Sequence, residues 1–137
     1  MPVVDFHIHC YDFPIDAPPS FVEFMAREMA RAYGSFTKFV ERYTTGEAYE
    51  RVLDEAGVDY GVILAELAPI TSAIASNETV ERLCKGHPRL IPFASINPYL
   101  VENPARELDQ LVRVRGFRGL KLYPTYNHYR PDDRELC

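Results

Sequence analysis

Val3-Val4-Asp5-Phe6-His7-Ile8-His9 is the stretch whose reading decides the fold. It is mostly apolar, runs up to a proline-rich segment, and reads as a β-strand. Side chains on a strand alternate between faces. Alternation predicts Asp5, His7 and His9 on one face and Val4, Phe6 and Ile8 on the other. Two imidazoles two residues apart on one face can hold a single metal ion, and neutral histidine is the commonest ligand of zinc-type metals. The plainer reading is a pair of hydrogen-bonded structural histidines. The metal reading gains from position: the pair closes an apolar strand that opens a repeated βα pattern.

That pattern runs through the rest of the chain. Residues 11–19 hold three prolines and two aspartates, a loop composition. Ser20 can cap a helix that carries Phe21, Phe24, Met25 and Met29 and ends at Gly34. A second helix starts near Thr45, buries Tyr49, Val52, Leu53 and Ala56, and stops at Gly57. Residues 58–65 read as a buried strand and 66–75 as a loop. Ser76 or Asn77 caps a third helix with Val80, Leu83 and Cys84, closed by Gly86 and Pro88. A strand over 90–96 follows. Asn103 and Pro104 start a fourth helix with Leu108, Leu111 and Val112 as its stripe, ended by Gly116. Residues 117–123 form the fourth strand. Strand starts near 58, 90 and 117 lie about 30 residues apart, the period of a βα unit. Continuous apolar strands joined by helices predict a parallel sheet covered by helices.

Composition narrows the function classes. The chain has 137 residues, enough for one domain with a modest core. Hydrophobic residues make up 47% and charged residues 26%, as in ordinary globular proteins. A net charge of -5 gives none of the basic footprint of a nucleic-acid binder. No basic segment followed by an apolar run marks a signal peptide. The most apolar stretch, residues 61–75, is broken by Glu66 and Pro69 and is shorter than the roughly 20 residues of a membrane span. Three cysteines, Cys10, Cys84 and Cys137, form neither a disulfide framework nor a zinc ribbon. Reduced thiols fit a cytoplasmic setting. Cys10 follows His9, is expected to point away from the histidine face, and is not a candidate ligand. Pro131-Asp132-Asp133-Arg134-Glu135 reads as a helix start, with Asp132 as cap and Glu135 three residues on, yet Cys137 follows at once. The expectation is a sequence cut short within a larger domain.

The ordered set of motifs resembles the amidohydrolase superfamily, specifically the amidohydrolase-related group that includes decarboxylases of the aminocarboxymuconate-semialdehyde type. The matching pieces are Asp5-Phe6-His7-Ile8-His9, Gly57-Val58-Asp59-Tyr60-Gly61-Val62 and Ser76-Asn77-Glu78. They continue through His87-Pro88-Arg89-Leu90-Ile91-Pro92 and Ile96-Asn97-Pro98 to Gly116-Phe117-Arg118-Gly119-Leu120-Lys121-Leu122-Tyr123-Pro124. The resemblance implies a (β/α)₈ TIM barrel with metal at the C-terminal ends of its strands, of which this chain carries strands one to four. It implies that His7 and His9 are strand-one ligands of a divalent metal, zinc being the expectation. It places further ligands on later strands. Lys121 faces the barrel interior, either to hold a substrate carboxylate as a point charge or as a lysine reaching the rim. Tyr123 stands where many relatives carry histidine. His128 and Arg130, on the loop after strand four, are candidates to touch an anionic substrate, against the plainer reading of a solvated tyrosine-rich loop. Asp5 is a candidate hydrogen-bond partner that orients a histidine ring.

The implied activity is metal-dependent hydrolysis of a C–N or C–O bond in a small, carboxylate-bearing molecule. Decarboxylation of a small acid is the alternative, and a non-catalytic half-barrel module or remnant is a third. No nucleic acid or membrane is expected as a partner; a homo-oligomer is. Two ligands hold a metal weakly, and two open sheet edges favour association. Residues 1–137 by themselves are therefore expected to bind metal weakly, to show no turnover, and to elute from a size-exclusion column as dimers or larger species.

Overall fold

The computed structural model describes residues 1–133. Four parallel strands lie side by side in chain order: β1 (Val4–His9), β2 (Tyr60–Leu64), β5 (Leu90–Ser95) and β6 (Gly119–Lys121). This is the sheet the 30-residue period predicts, with each strand a little shorter than its apolar run. Between β1 and β2 come α1 (Pro19–Tyr33), α2 (Phe36–Arg42) and α3 (Gly46–Ala56). Helix α4 (Asn77–Cys84) precedes β5, and α5 (Pro104–Arg113) precedes β6. Among the described residues no helix is long and apolar enough to cross a membrane.

Local chemistry sets most helix ends. The side chains of Thr45, Ser76 and Asn103 each accept the backbone N–H three residues on, at the starts of α3, α4 and α5. Gly34 and Gly57 close α1 and α3 in the left-handed region, with φ of 82° and 66°. Helix α1 departs from the sequence reading. It begins at Pro19 rather than after Ser20, with Pro18 at the cap and no side-chain cap bond. Helix α2, not foreseen, is capped by Ser35 and buries Phe39 among the rings of Tyr11, Phe13, Tyr33, Phe36 and Tyr43.

The core lies between the sheet and α3, α4 and α5. Ile63, Ala65, Leu90, Ala94 and Ile96 meet Tyr49, Leu53, Val80, Leu83 and Leu111 there. The predicted stripe of α5 is narrower than expected: Leu111 is buried, but Val112 is 44% exposed. A second correction concerns residues 66–75. They form an antiparallel hairpin, β3 (Glu66–Leu67) and β4 (Ile74–Ala75), rather than a plain loop. Of the predicted helix start at 131–135, Asp133 N–H donates to the Arg130 carbonyl in a turn; Arg134 and Glu135 lie outside the described residues.

Strict alternation in β1 also fails. Six residues of β1 run beside five of β2, and the register slips between Asp5 and Ile8. Ile8 keeps its expected place on the helix side, where it meets the bare backbone of Gly61 beside Leu53. Phe6 does not share that side. Its ring packs edge-on against Phe93, at 5.4 Å between centroids. Phe93 in turn lies over Gly119, where any Cβ would meet the ring at 2.4 Å. Phe6, Phe93 and Gly119 thus form one layer on the face away from the helices. Phe6 is 65% exposed, and β1 and β6 are the sheet edges.

The C-terminal end of β5 is pinned by one side chain. Asn77 Nδ2 donates to the Ser95 carbonyl at 3.0 Å, and the Ser95 N–H donates to Asn77 Oδ1 at 2.9 Å. Both residues are buried. Asn77→Ala strands a buried donor and a buried acceptor together, so it should cost about 2–4 kcal/mol in a urea unfolding titration. A loss under about 0.5 kcal/mol would show that this pairing does not fix α4 to the sheet.

Candidate metal centre

The C-terminal ends of the strands collect the chemically active groups. His9 ends β1, Glu66 follows β2 at the start of the hairpin, and Lys121 ends β6. Ser95, which pairs with Lys121 across β5 and β6, ends the remaining strand. Glu66 is only 6% exposed, while His7 and Lys121 are open to the inner face.

His7 and His9 converge. Their Nε2 atoms are 3.0 Å apart and their ring centroids 4.9 Å. Two nitrogens bound to one ion at about 2.0–2.1 Å lie no more than about 4.2 Å from each other, so this pair fits a shared ion. The other ring nitrogen of His9, Nδ1, meets Glu66 Oε2 at 3.1 Å. Burial pushes the pKa of Glu66 up, but the His9 hydrogen bond, Ser72 and Lys121 outweigh it and hold the carboxyl below its usual range. Ser72 contributes as a side-chain hydrogen-bond donor to the carboxylate. The pKa of His7 is lowered, first by burial and then by the neighbouring His9 and Lys121. Both effects favour the neutral imidazole that a metal requires.

The remaining candidates divide. Lys121 Nζ sits 5.3 Å from the centroid of the Tyr123 ring, a cation–π contact. It has no ion-pair partner among the described residues, whereas Arg89, Arg115 and Arg130 are all paired with carboxylates. Tyr123 is buried, and burial with the nearby Glu66 raises its pKa. Asp5 holds backbone instead of a ring. Its Oδ1 accepts the His7 backbone N–H at 3.0 Å, because the register slip separates it from the imidazoles. Arg130 is spent on Asp132 at the exposed surface, at 3.1 and 3.0 Å. His128 is exposed with φ of 55°, and its carbonyl accepts from Tyr99 Oη. Neither joins the cluster. Cys10 points into the core, where its thiol donates to the Leu64 carbonyl.

Glu66 is the site residue that sequence reasoning missed. Its one sequence signal is a carboxylate directly after a buried apolar strand. The hairpin that carries it is tied down from three sides. Asn97 and Asn127 both donate to the Leu67 carbonyl, Thr71 Oγ1 donates to the Tyr126 carbonyl, and the Ile74 N–H donates to the Asp16 carbonyl.

No family model and no curated protein matches the chain. Solved structures do. An uncharacterised TIM-barrel protein from Bordetella bronchiseptica superposes with a TM-score of 0.57 at 20% identity, covering 99% of this chain and 49% of that one. The fold is that of a TIM barrel, present here in part. A 5-carboxyvanillate decarboxylase from Novosphingobium aromaticivorans, with bound manganese and 3-methoxy-4-hydroxy-5-nitrobenzoic acid, gives a TM-score of 0.57 at 17% identity, covering 88% of this chain and 41% of its own. A probable 2-pyrone-4,6-dicarboxylic acid hydrolase from Acinetobacter baumannii, with citric acid bound, gives 0.53 at 18%, covering 88% and 37%. The chain thus spans between 37% and 49% of the length of these structures.

The Tyr123 hydroxyl is buried and makes no hydrogen bond to a described residue. Tyr123→Phe should therefore leave thermal stability within about 1 kcal/mol of the parent, or raise it. A larger loss in calorimetry would reveal a partner for that hydroxyl.

Proposed function

We propose that this chain carries the strand-one side of the metal centre of an amidohydrolase-superfamily enzyme, with His7 and His9 as ligands of a divalent ion. The observation that carries the reading is the pair of Nε2 atoms 3.0 Å apart at the C-terminal end of β1. Active sites of TIM barrels lie at that end. The bound manganese of the decarboxylase with the same fold supports a divalent ion, zinc or manganese, without choosing between them. When bound, such an ion offers an open position that acidifies water and polarises a carbonyl or carboxylate.

The chain's own residues supply the surroundings. His7 and His9 present their Nε2 atoms to one shared position. Lys121, charged and unpaired by any described carboxylate, holds an anionic group of a small substrate near the ligands. The Tyr123 ring beneath the ammonium keeps it extended along the rim. The reaction is hydrolysis of a C–N or C–O bond in a carboxylate-bearing molecule. Decarboxylation is the second reading, favoured by the superposition on the decarboxylase.

Among the described residues no group of three or more His, Cys, Asp or Glu is placed to hold a metal, so retention by residues 1–137 should be weak. Titration with manganese or zinc, followed by elemental analysis, should show binding that His7→Ala weakens at least tenfold. Equal retention by the parent and by His7→Ala would remove these histidines from the site.

A further inference from the structure

We propose that Glu66 is a positioning residue that fixes the tautomer and the ring plane of His9. The inference rests on the reading of His7 and His9 as ligands. A carboxylate at neutral pH only accepts hydrogen bonds. With Glu66 Oε2 at 3.1 Å from Nδ1, that nitrogen must carry the ring proton. In a neutral ring Nε2 is then bare, and Nε2 is the nitrogen that stands 3.0 Å from its counterpart on His7. The contact therefore selects the one tautomer that leaves a lone pair facing the shared position.

Burial argues that the contact is specific. Glu66 is 6% exposed, and its second oxygen makes no hydrogen bond to a described residue. Burying a carboxylate is costly, and an apolar residue would fill the place at less cost. What the carboxylate does achieve is one bond to one ring nitrogen. Its aim is held by the hairpin, which is anchored through the Leu67 carbonyl and through Thr71 and Ile74 to the loops after β1, β5 and β6. The backbone of His9 is held separately, its carbonyl accepting from Tyr49 Oη at 3.3 Å. Backbone and ring thus have independent restraints. His7 lacks a comparable carboxylate: Asp5 bonds its backbone N–H and leaves its ring to His9.

The test uses the full 137-residue chain, Glu66→Gln and Glu66→Ala. In metal-free protein, nitrogen-15 spectra of the ring nitrogens should show His9 protonated on Nδ1. Glu66→Gln keeps a carbonyl acceptor at the same reach and should keep that tautomer, with less than a tenfold loss of manganese or zinc affinity. Glu66→Ala should lose the fixed tautomer and bind the metal 10–100-fold more weakly, the range for a lost outer-shell partner, ~10–100-fold. A parent His9 protonated on Nε2 overturns the proposal, and so does a Glu66→Ala variant with unchanged tautomer and affinity. Should Glu66→Ala fail to fold, the parent spectrum and Glu66→Gln still decide. If the parent binds no metal but its His9 tautomer depends on Glu66, the positioning stands and the ligand reading fails. If metal binds through His7 and is indifferent to Glu66, the positioning fails and the ligand reading stands.

Discussion

Parallel strands can be joined only by a crossover that carries the chain back to the same end of the sheet. That constraint shapes this chain more than any single contact. With β1, β2, β5 and β6 all parallel, every strand leaves at one rim and every helix returns to the other. His9 and Glu66, far apart in sequence, meet because each stands at or just past a strand end, and Lys121 ends a strand at the same rim. The two rims are used differently. At the entry rim, Arg89 donates to the carbonyls of Asp59 and Val58 and to the Asp54 carboxylate, closing the turn from α3 to β2 against the start of β5. Arg115 reaches Glu81 and Glu78 and ties the end of α5 to α4. These cations are saturated by structural partners. The exit rim keeps Lys121 uncommitted.

The buried polar groups separate along the same line. Asn77 and Ser95 exchange two hydrogen bonds and are neutral, which is the inexpensive way to bury polarity. Asp12, on the loop after β1, accepts from Thr79 Oγ1 and from Arg82, holding that loop to α4 at a partly exposed site. Glu66 is different in kind: charged, buried, and satisfied on one oxygen only. Exposed or neutral networks serve the scaffold here, and the costly group sits beside the histidines.

Much of this was legible in the sequence, for reasons that differ by element. The sheet was readable because continuous apolar runs recur at a fixed spacing, and the caps at Thr45, Ser76 and Asn103 because capping is a contact within four residues. Helix α2 escaped because seven residues are too few to show a period; its stability comes from Phe39 packing among distant rings. The hairpin escaped because its strands have two residues each and owe their form to bonds from Asp16, Asn97 and Asn127. Alternation placed His9 and Ile8 correctly but misplaced Phe6, since a slip of one residue in register reverses facing and leaves no local signature. Glu66 could not be distinguished from a loop carboxylate until the hairpin set it against His9.

Charge at the exit rim bears on the kind of ligand it can take. Lys121 contributes a positive charge that no described carboxylate neutralises, and Tyr123 stabilises it through its ring without removing it. Among the described residues Glu66 is the one carboxylate that bonds a ring of His7 or His9, and that bond is engaged on the side of His9 away from His7. The pKa of His7 is lowered, first by burial and then by the neighbouring His9 and Lys121. On the proposed reading, with an ion between the histidines, a ligand carrying its own negative charge would offset the ion and Lys121 together.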